Sequence, residues 1–306
     1  YAKATLGASI VAVILSLILW STVGLNFGID FRGGTTIRTE SVQVVDVGAY
    51  RDAIAPLNLG DISITEVFDP TFGPERNVAM LRIQAQDGVE SVTAETILAV
   101  ETALQGVDPS ITFPSVESVG PKVSGELVRS AVIAVGLSLA AILFYIWLRF
   151  EWQFSVGAVA ALFHDVILTI GIFAALQIRF DLATIAALLT IVGYSINDTV
   201  VIFDRVRENL IKYKTKPLRD VMNLSVNETL SRTVMTSGTT LMALLALLIL
   251  GGDVIRGFVF AIFWGVIVGT YSSVYVAKNI VLMLGTKRDW SKPTDTTGNQ
   301  FANTDP

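Results

Sequence analysis

The chain has 306 residues, 52% of them hydrophobic and only 16% charged. Soluble domains of this size carry about a quarter charged residues, so a water-soluble globule is excluded. With no cysteine and a single histidine, His164, a disulfide framework, a thiolate centre and a histidine-rich metal cluster are excluded too. The net charge of −5 says little until it is divided by side of the membrane, and no nucleic-acid partner is expected.

Six apolar runs set the architecture: Leu6–Leu25, Leu127–Leu148, Phe154–Leu176, Leu182–Phe203, Val234–Leu250 and Ile255–Val276. About 20 residues at 1.5 Å each cross a hydrocarbon core of about 30 Å, so the pattern predicts a polytopic α-helical membrane protein with six transmembrane helices. The first run is too long for a signal h-region, and no small-x-small cleavage site follows LILWSTVGLNFG, so residues 1–25 read as a retained span. The chain begins at Tyr1 rather than Met, which fits a short leader ahead of it.

Residues 26–122 are too many for a loop and read as a small α/β domain. TTIRT is a strand by alternation, and VDVGAYRDAIAPL is a short amphipathic helix stopped by Pro56. DISITEVF and NVAMLRIQA are strands around the turn DPTFGPER. SVTAETILAVETALQG is a helix with Gly106 just past its end, and SITFPSVESV is the closing strand. The order β-α-β-β-α-β is that of a ferredoxin-like split sheet, a fold that by itself specifies no function.

Residues 123–203 hold spans two to four, joined by short connections. Residues 204–232 form a basic loop, in which Leu218, Val221, Met222 and Ser225 recur at helical spacing behind Pro217. This spacing predicts an amphipathic helix lying on the membrane surface. Residues 233–285 hold spans five and six, and 286–306 read as a disordered tail. Between Asp204 and Arg232 there are seven basic and four acidic residues, whereas 26–122 holds six basic and 14 acidic. The positive-inside rule then places both termini in the cytoplasm and residues 26–122 outside.

Ionisable groups inside a span need a reason, since each disfavours insertion by about 2.5–3.5 kcal/mol at the helix centre. Asp165 lies near the midpoint of span three, beside His164. Asp198, after Asn197, lies in the cytoplasmic half of span four, and Arg232 opens span five at the same side. Thr236 and Thr239 continue a polar stripe from Arg232. A guanidinium nearby holds a carboxylate ionised, and burial without one favours the neutral acid. The spacing therefore suggests Asp198 as a proton carrier with Arg232 as its counter-charge. Each group also has a plain structural reading: Asp198 and the His164–Asp165 pair as hydrogen-bonders between helices, Arg232 as a snorkelling interfacial cation. Gly193, Ser195, Ser237 and Gly238 would let helix backbones approach.

The stretches GIDFRGGTTIR, VESVGPKVSGEL, ALFHDVILTIGIF, YSINDTVVIFDRVREN and SRTVMTSGTTLMALLALLILGG together resemble the SecD/SecF family of bacterial protein export, within the resistance–nodulation–division (RND) superfamily. The resemblance covers nearly the whole chain. It implies an RND-type half bundle in the bacterial inner membrane with a periplasmic domain over 26–122. It also implies a SecD partner with a second six-span bundle, association with the SecYEG channel, and use of the proton-motive force to help pull unfolded exported polypeptide across. YajC and YidC are further partners it suggests. The family's proton-coupling aspartate and arginine correspond to Asp198 and Arg232, with Asn197, Asp165, Ser195 and Thr236 as supporting candidates. The family motif after the first helix falls on Asp30, Phe31, Gly33 and Gly34. No cofactor is implied beyond the coupling ion, and a lone carboxylate suits Na+ as well as H+.

Repeat-built transporters place their sites at repeat interfaces, so a half bundle with buried charges calls for a second half. An ion-coupled exporter of small molecules or lipids, or a non-transporting assembly subunit, is the alternative. No nucleophile–base pair or phosphate loop points to an enzyme.

Overall fold

A computed structural model of the chain describes residues 2–60, 62–67, 76–84 and 92–286. The expected turn at 69–75 and the tail after Thr286 lie outside them. The first element is α1 (Ala2–Thr22), the first of six helices among the described residues that are long and apolar enough to cross a membrane. It leaves through β1 (Asn26–Phe27) and a one-turn helix, α2 (Ile29–Arg32), which ends on Gly33 at φ 71°, with Gly34 at φ 127°. A Cβ disfavours both conformations, which is the local reason for two glycines in a row.

Next come β2 (Gly34–Ser41), α3 (Val47–Ile54), β3 (Ile62–Val67), β4 (Asn77–Gln84), α4 (Ala94–Val107) and β5 (Thr112–Val119). The strands pair antiparallel in the order β3-β4-β2-β5, the split arrangement the sequence suggests. Asp46 starts α3 by accepting from the backbone N–H groups of Gly48 and Ala49, and Thr93 starts α4 by accepting from that of Thr96. Helix α4 runs through Gly106, where the sequence puts its end, and closes at Asp108, whose carboxylate accepts from the hydroxyls of Ser41 and Ser110. Alternation along β2 and β4 turns Ile37, Ala79, Leu81 and Ile83 to one face, against Tyr50, Ile54, Val100 and Leu104. The other face carries Thr36, Arg38, Met80 and Arg82 and looks toward the helical bundle.

The bundle continues with α5 (Pro121–Arg149), α6 (Trp152–Leu176), β6 (Arg179–Phe180), α7 (Leu182–Lys212) and α8 (Leu218–Leu250). A compound last helix follows: α9 (Asp253–Tyr271), a π-helical turn over Ser272–Ala277, and α10 (Lys278–Leu284). Strand β6 pairs in parallel with β1, tying the exit of the first span to the connection between the third and fourth.

Two apolar clusters hold the bundle. One is built on Phe173, Phe180, Ala187, Ile191, Val259 and Val266. The other is built on Phe154, Ala158, Phe203, Val206, Val274 and Val281. Along α6, α7 and the last helix, the buried residues between the clusters include polar ones at the same level: His164 and Asp165, Ser195, Asp198 and Thr199, and Ser272 with Ser273. A polar layer is thus sealed between two apolar ones.

The surface helix expected within 204–232 is not a separate element. Helix α7 runs on to Lys212, and α8 starts at Leu218 and continues unbroken to Leu250. Its 33 residues reach about 50 Å at 1.5 Å each, longer than the hydrocarbon core. The amphipathic face is real, but its apolar side packs on protein rather than lipid. Val221, Met222 and Ser225 are fully buried against Val206 and Leu210, and Asn209 donates to Ser225 at 3.0 Å and to Glu228 at 2.7 Å. Arg205 pairs with Glu228 at 2.6 Å, and Asp204 with Arg149 at 2.7 Å, so these end residues lock helices together.

Gly193 and Gly238, expected at close helix contacts, have nothing within 4 Å of where a Cβ would stand. The close approaches are elsewhere. At Gly171 a Cβ would come within 2.9 Å of the Ser16 Cα on α1. Overpacking of this kind costs about 1–3 kcal/mol, so Gly171→Val is expected to lower the melting temperature of the detergent-purified chain by loosening α1 from α6.

Candidate functional site

Asp165 is completely buried and is the acceptor around which the polar layer is built. Its Oδ2 accepts from Ser195 Oγ on α7 at 2.6 Å and from Ser272 Oγ at the start of the π turn at 2.8 Å. Its Oδ1 lies 3.0 Å from His164 Nδ1, whose ring stacks on Tyr271. Ser273, next to Ser272, shares a hydrogen bond of 2.9 Å with Thr199 and donates to the Ser195 carbonyl at 3.2 Å. Gly269 leaves the room for this, since a Cβ there would meet Ser195 at 3.1 Å. Three helices are therefore joined through one carboxylate. Of these partners His164 and Ser195 are singled out by sequence, and Thr199 lies in the stretch after Asn197 and Asp198; Ser272, Ser273 and Gly269 carry no motif. The irregular turn that presents the two serines is of a kind often found at functional positions.

Asp198 is three residues beyond Ser195 and one before Thr199, on the same side of α7. It too is buried, at 5% exposure, yet it accepts no hydrogen bond among the described residues. Its Oδ2 and the hydroxyl of Thr233 on α8 are both buried without a partner there. The layer thus holds two carboxylates in opposite states: one saturated with donors, the other bare.

The direct pairing of Asp198 with Arg232 expected from depth is not formed. No hydrogen bond or ion pair joins them among the described residues. The reason is helical phase. Val226, Thr229, Thr233 and Ser237 form the buried face of α8, and Arg232 is one step round from it, exposed. Thr236 and Thr239 are exposed beside it and donate to carbonyls of their own helix, at 3.0 Å to Arg232 and 2.9 Å to Met235. On α7, Asn197 and Gly193 are likewise exposed. The polar residues that accompany Asp198 thus lie on an open face of the bundle.

The motif after the first helix is a joint. Asp30 Oδ2 accepts from the backbone N–H of Leu182, at the start of α7, at 3.1 Å, while the Asp30 carbonyl accepts from Ser124 Oγ on α5 at 2.9 Å. Phe31 packs with Phe27 and Phe180 at ring distances of 5.7 and 5.8 Å, and Gly33 and Gly34 turn the chain into β2. Three spans and the sheet meet at these four residues.

A six-span bundle with a split-sheet domain after its first helix, and carboxylates sealed in a polar layer between helices, defines a multi-pass membrane protein of the RND type. The family model "Protein export membrane protein SecD/SecF, C-terminal" matches residues 99–287, and the "SecD/SecF GG Motif" matches residues 18–43. The chain is 68% identical over 304 residues to the protein translocase subunit SecF of Cereibacter sphaeroides, covering 99% of this chain and 94% of that one. It is 65% identical to that of Rhodobacter capsulatus, covering 95% and 90%. Among solved structures it is similar to SecDF, a translocon-associated membrane protein from Thermus thermophilus, with TM-score 0.82, 38% identity, and coverage of 92% of this chain and 38% of that longer one. Against SecDF in a super-membrane-facing form the identity is 39% and the coverage is 92% and 38%, but the TM-score is 0.67. This chain belongs to the SecD/SecF family. It is a multi-pass inner-membrane protein and an auxiliary translocase subunit.

Proposed function

We propose that the chain couples ion flow to protein export, with Asp198 as the group that gains and loses the ion and Arg232 as the charge that responds. The observation that carries this reading is the contrast inside the polar layer. Asp165 has its donors in place, whereas Asp198 is buried without any. Burial without a donor favours the neutral acid and a guanidinium nearby favours the ionised form, so a carboxylate set between those two influences can exchange an ion as a helix moves. The hydroxyls of Ser195, Ser272, Ser273 and Thr199 form a polar track beside it. Movement of one charge down a membrane potential of 100 mV yields about 2.3 kcal/mol, and the ion is taken to be H+, with Na+ as the competing choice.

The open face bearing Asn197, Arg232, Thr236 and Thr239 is proposed to meet the second half bundle of a SecD subunit, since an arginine in that stripe has no place against lipid. The pair would assist SecYEG, with YajC and YidC as further neighbours and unfolded exported polypeptide as the substrate. Both termini are assigned to the cytoplasm and residues 26–122 to the periplasm, on the charge distribution. The direct test is export into vesicles under an imposed proton gradient or an imposed sodium gradient. Stimulation by the first alone is expected, and indifference to both ends the proposal. Arg232→Lys keeps the charge but loses the planar fork. If Arg232 meets a carboxylate through that fork, export under a gradient is expected to fall at least about tenfold, as for the loss of one charge-assisted bond; unchanged export makes it an interfacial cation.

A further inference from the structure

The bundle-facing side of the sheet does not rest on the bundle. Between the two is a cleft of about 660 Å³. Its sheet wall bears Arg38 and Arg82, its bundle wall adds Arg179 and Arg256, and the lining carboxylates are two, Glu117 and Asp181. Two of these cations, Arg38 and Arg82, come from a segment, 26–122, with 14 acidic and only six basic residues. Strand alternation explains it, because Arg38 and Arg82 share the face opposite the sheet's own core.

Arg82 and Arg179 each bury an Nε that has no hydrogen-bond partner among the described residues. The nearest carboxylate oxygen to the Arg179 Nε, on Asp181, is 3.8 Å away. Burial, followed by the Arg179 guanidinium, pulls the pKa of Arg82 below its ordinary value. Like charges held together and partly dried are relieved by an anion, and the guanidinium fork fits a phosphate. Besides Asn26, Thr36, Thr65 and Ser115, the lining has an apolar floor: Ile178, Leu248, Phe258 and Phe260 stand where the spans end. A small soluble anion has no use for such a floor, whereas an amphiphile uses both walls.

We infer that this cleft holds the phosphate of an anionic phospholipid, drawn from the leaflet on the small domain's side, with its head group at Arg82 and Arg179 and its chains along Phe258 and Phe260. Such a lipid would fasten the sheet to the membrane surface at a second place besides the Asp30 joint. It acts independently of the ion-coupling proposal, and its test does not measure export.

The full chain, purified from membranes in its native complex, is titrated with phosphatidylglycerol and with phosphatidylcholine of the same chain length, and bound lipid is counted by native mass spectrometry. Phosphatidylglycerol is expected to bind preferentially. The double variant Arg82→Gln/Arg179→Gln is expected to weaken that binding by about tenfold or more, the loss of two charge-assisted contacts. Equal retention of both lipids, or of phosphatidylglycerol by the variant, overturns the inference. Competition by inorganic phosphate or an acidic peptide at concentrations comparable to the lipid overturns it as well, since the apolar floor would then play no part. A photoreactive phosphatidylglycerol on the unaltered complex removes any dependence on the variant's folding. Label is expected on Met80 to Arg82, Ile178 to Asp181 and Arg256 to Phe260, and label confined to other segments refutes the site.

Discussion

Asp198→Asn is expected to give a complex that assembles in normal amounts and no longer responds to a proton gradient. The two halves of that result have separate causes. Assembly survives because Asp198 accepts no hydrogen bond among the described residues, so the amide removes no contact. It also relieves a penalty, since a carboxylate near a span centre disfavours insertion by about 2.5–3.5 kcal/mol and an amide by less. The amide cannot take up or release a proton near neutral pH, so any stimulation that depends on titration at this position is lost entirely rather than reduced. Gradient-independent export by the channel continues, which gives the baseline. The measurement is export of a secretory protein into inverted vesicles with and without the gradient, alongside the amount of the subunit in the membrane. Gradient-stimulated export at the unaltered level with Asn in place would remove Asp198 from the coupling reaction. A fall in subunit abundance would instead assign it to helix packing.

The parts of this molecule that depend on local periodicity are legible in the sequence. Six apolar runs give the six helices, and the period-2 strands with capped helices give the split sheet, because span length and strand alternation are set within a few residues. What the sequence hides is which surface a periodic face is buried against. Leu218, Val221, Met222 and Ser225 announce an amphipathic helix equally well whether membrane or protein covers it, and α7 covers it because both helices outrun the bilayer. Gly193 and Gly171 look alike as small residues in spans, and only the tertiary arrangement puts Ser16 against the second and nothing against the first.

The site shows the same division. Asp165 and Asp198 stand out as charges in apolar runs, but their difference in state comes from residues far away in the chain. Ser195 reaches Asp165 across 30 positions and Ser272 across 107, through a π turn that leaves no mark in the sequence. Arg232 failed as a direct partner by one helical step of about 100°, a precision that depth arguments at 1.5 Å per residue do not have. The exposed residues Asn197, Arg232 and Thr236 are the half of an interface that the proposed function would pair with a second bundle.

Asp165 separates a structural carboxylate from a working one. Asp165→Leu is expected to abolish accumulation of the subunit. It withdraws the acceptor from Ser195, Ser272 and His164 at once, inside a layer sealed by Phe173 on one side and Phe154 on the other. Each buried polar group left without its partner costs about 1–3 kcal/mol. Partial rescue is available to Ser272, which also reaches the Gly269 carbonyl at 3.1 Å, but not to all three. Several kcal/mol is a large share of a stability of about 5–15 kcal/mol. Asp165→Asn is expected to accumulate, because its amide oxygen still accepts from both serines and its N–H can donate to His164 once the ring carries its proton on Nε2. If the carboxylate serves only to gather the helices, this variant also exports under a gradient, in contrast to Asp198→Asn. Full accumulation of Asp165→Leu would refute the gathering role. An Asp165→Asn complex that assembles but ignores the gradient would make both carboxylates titrating members of one relay through Ser195.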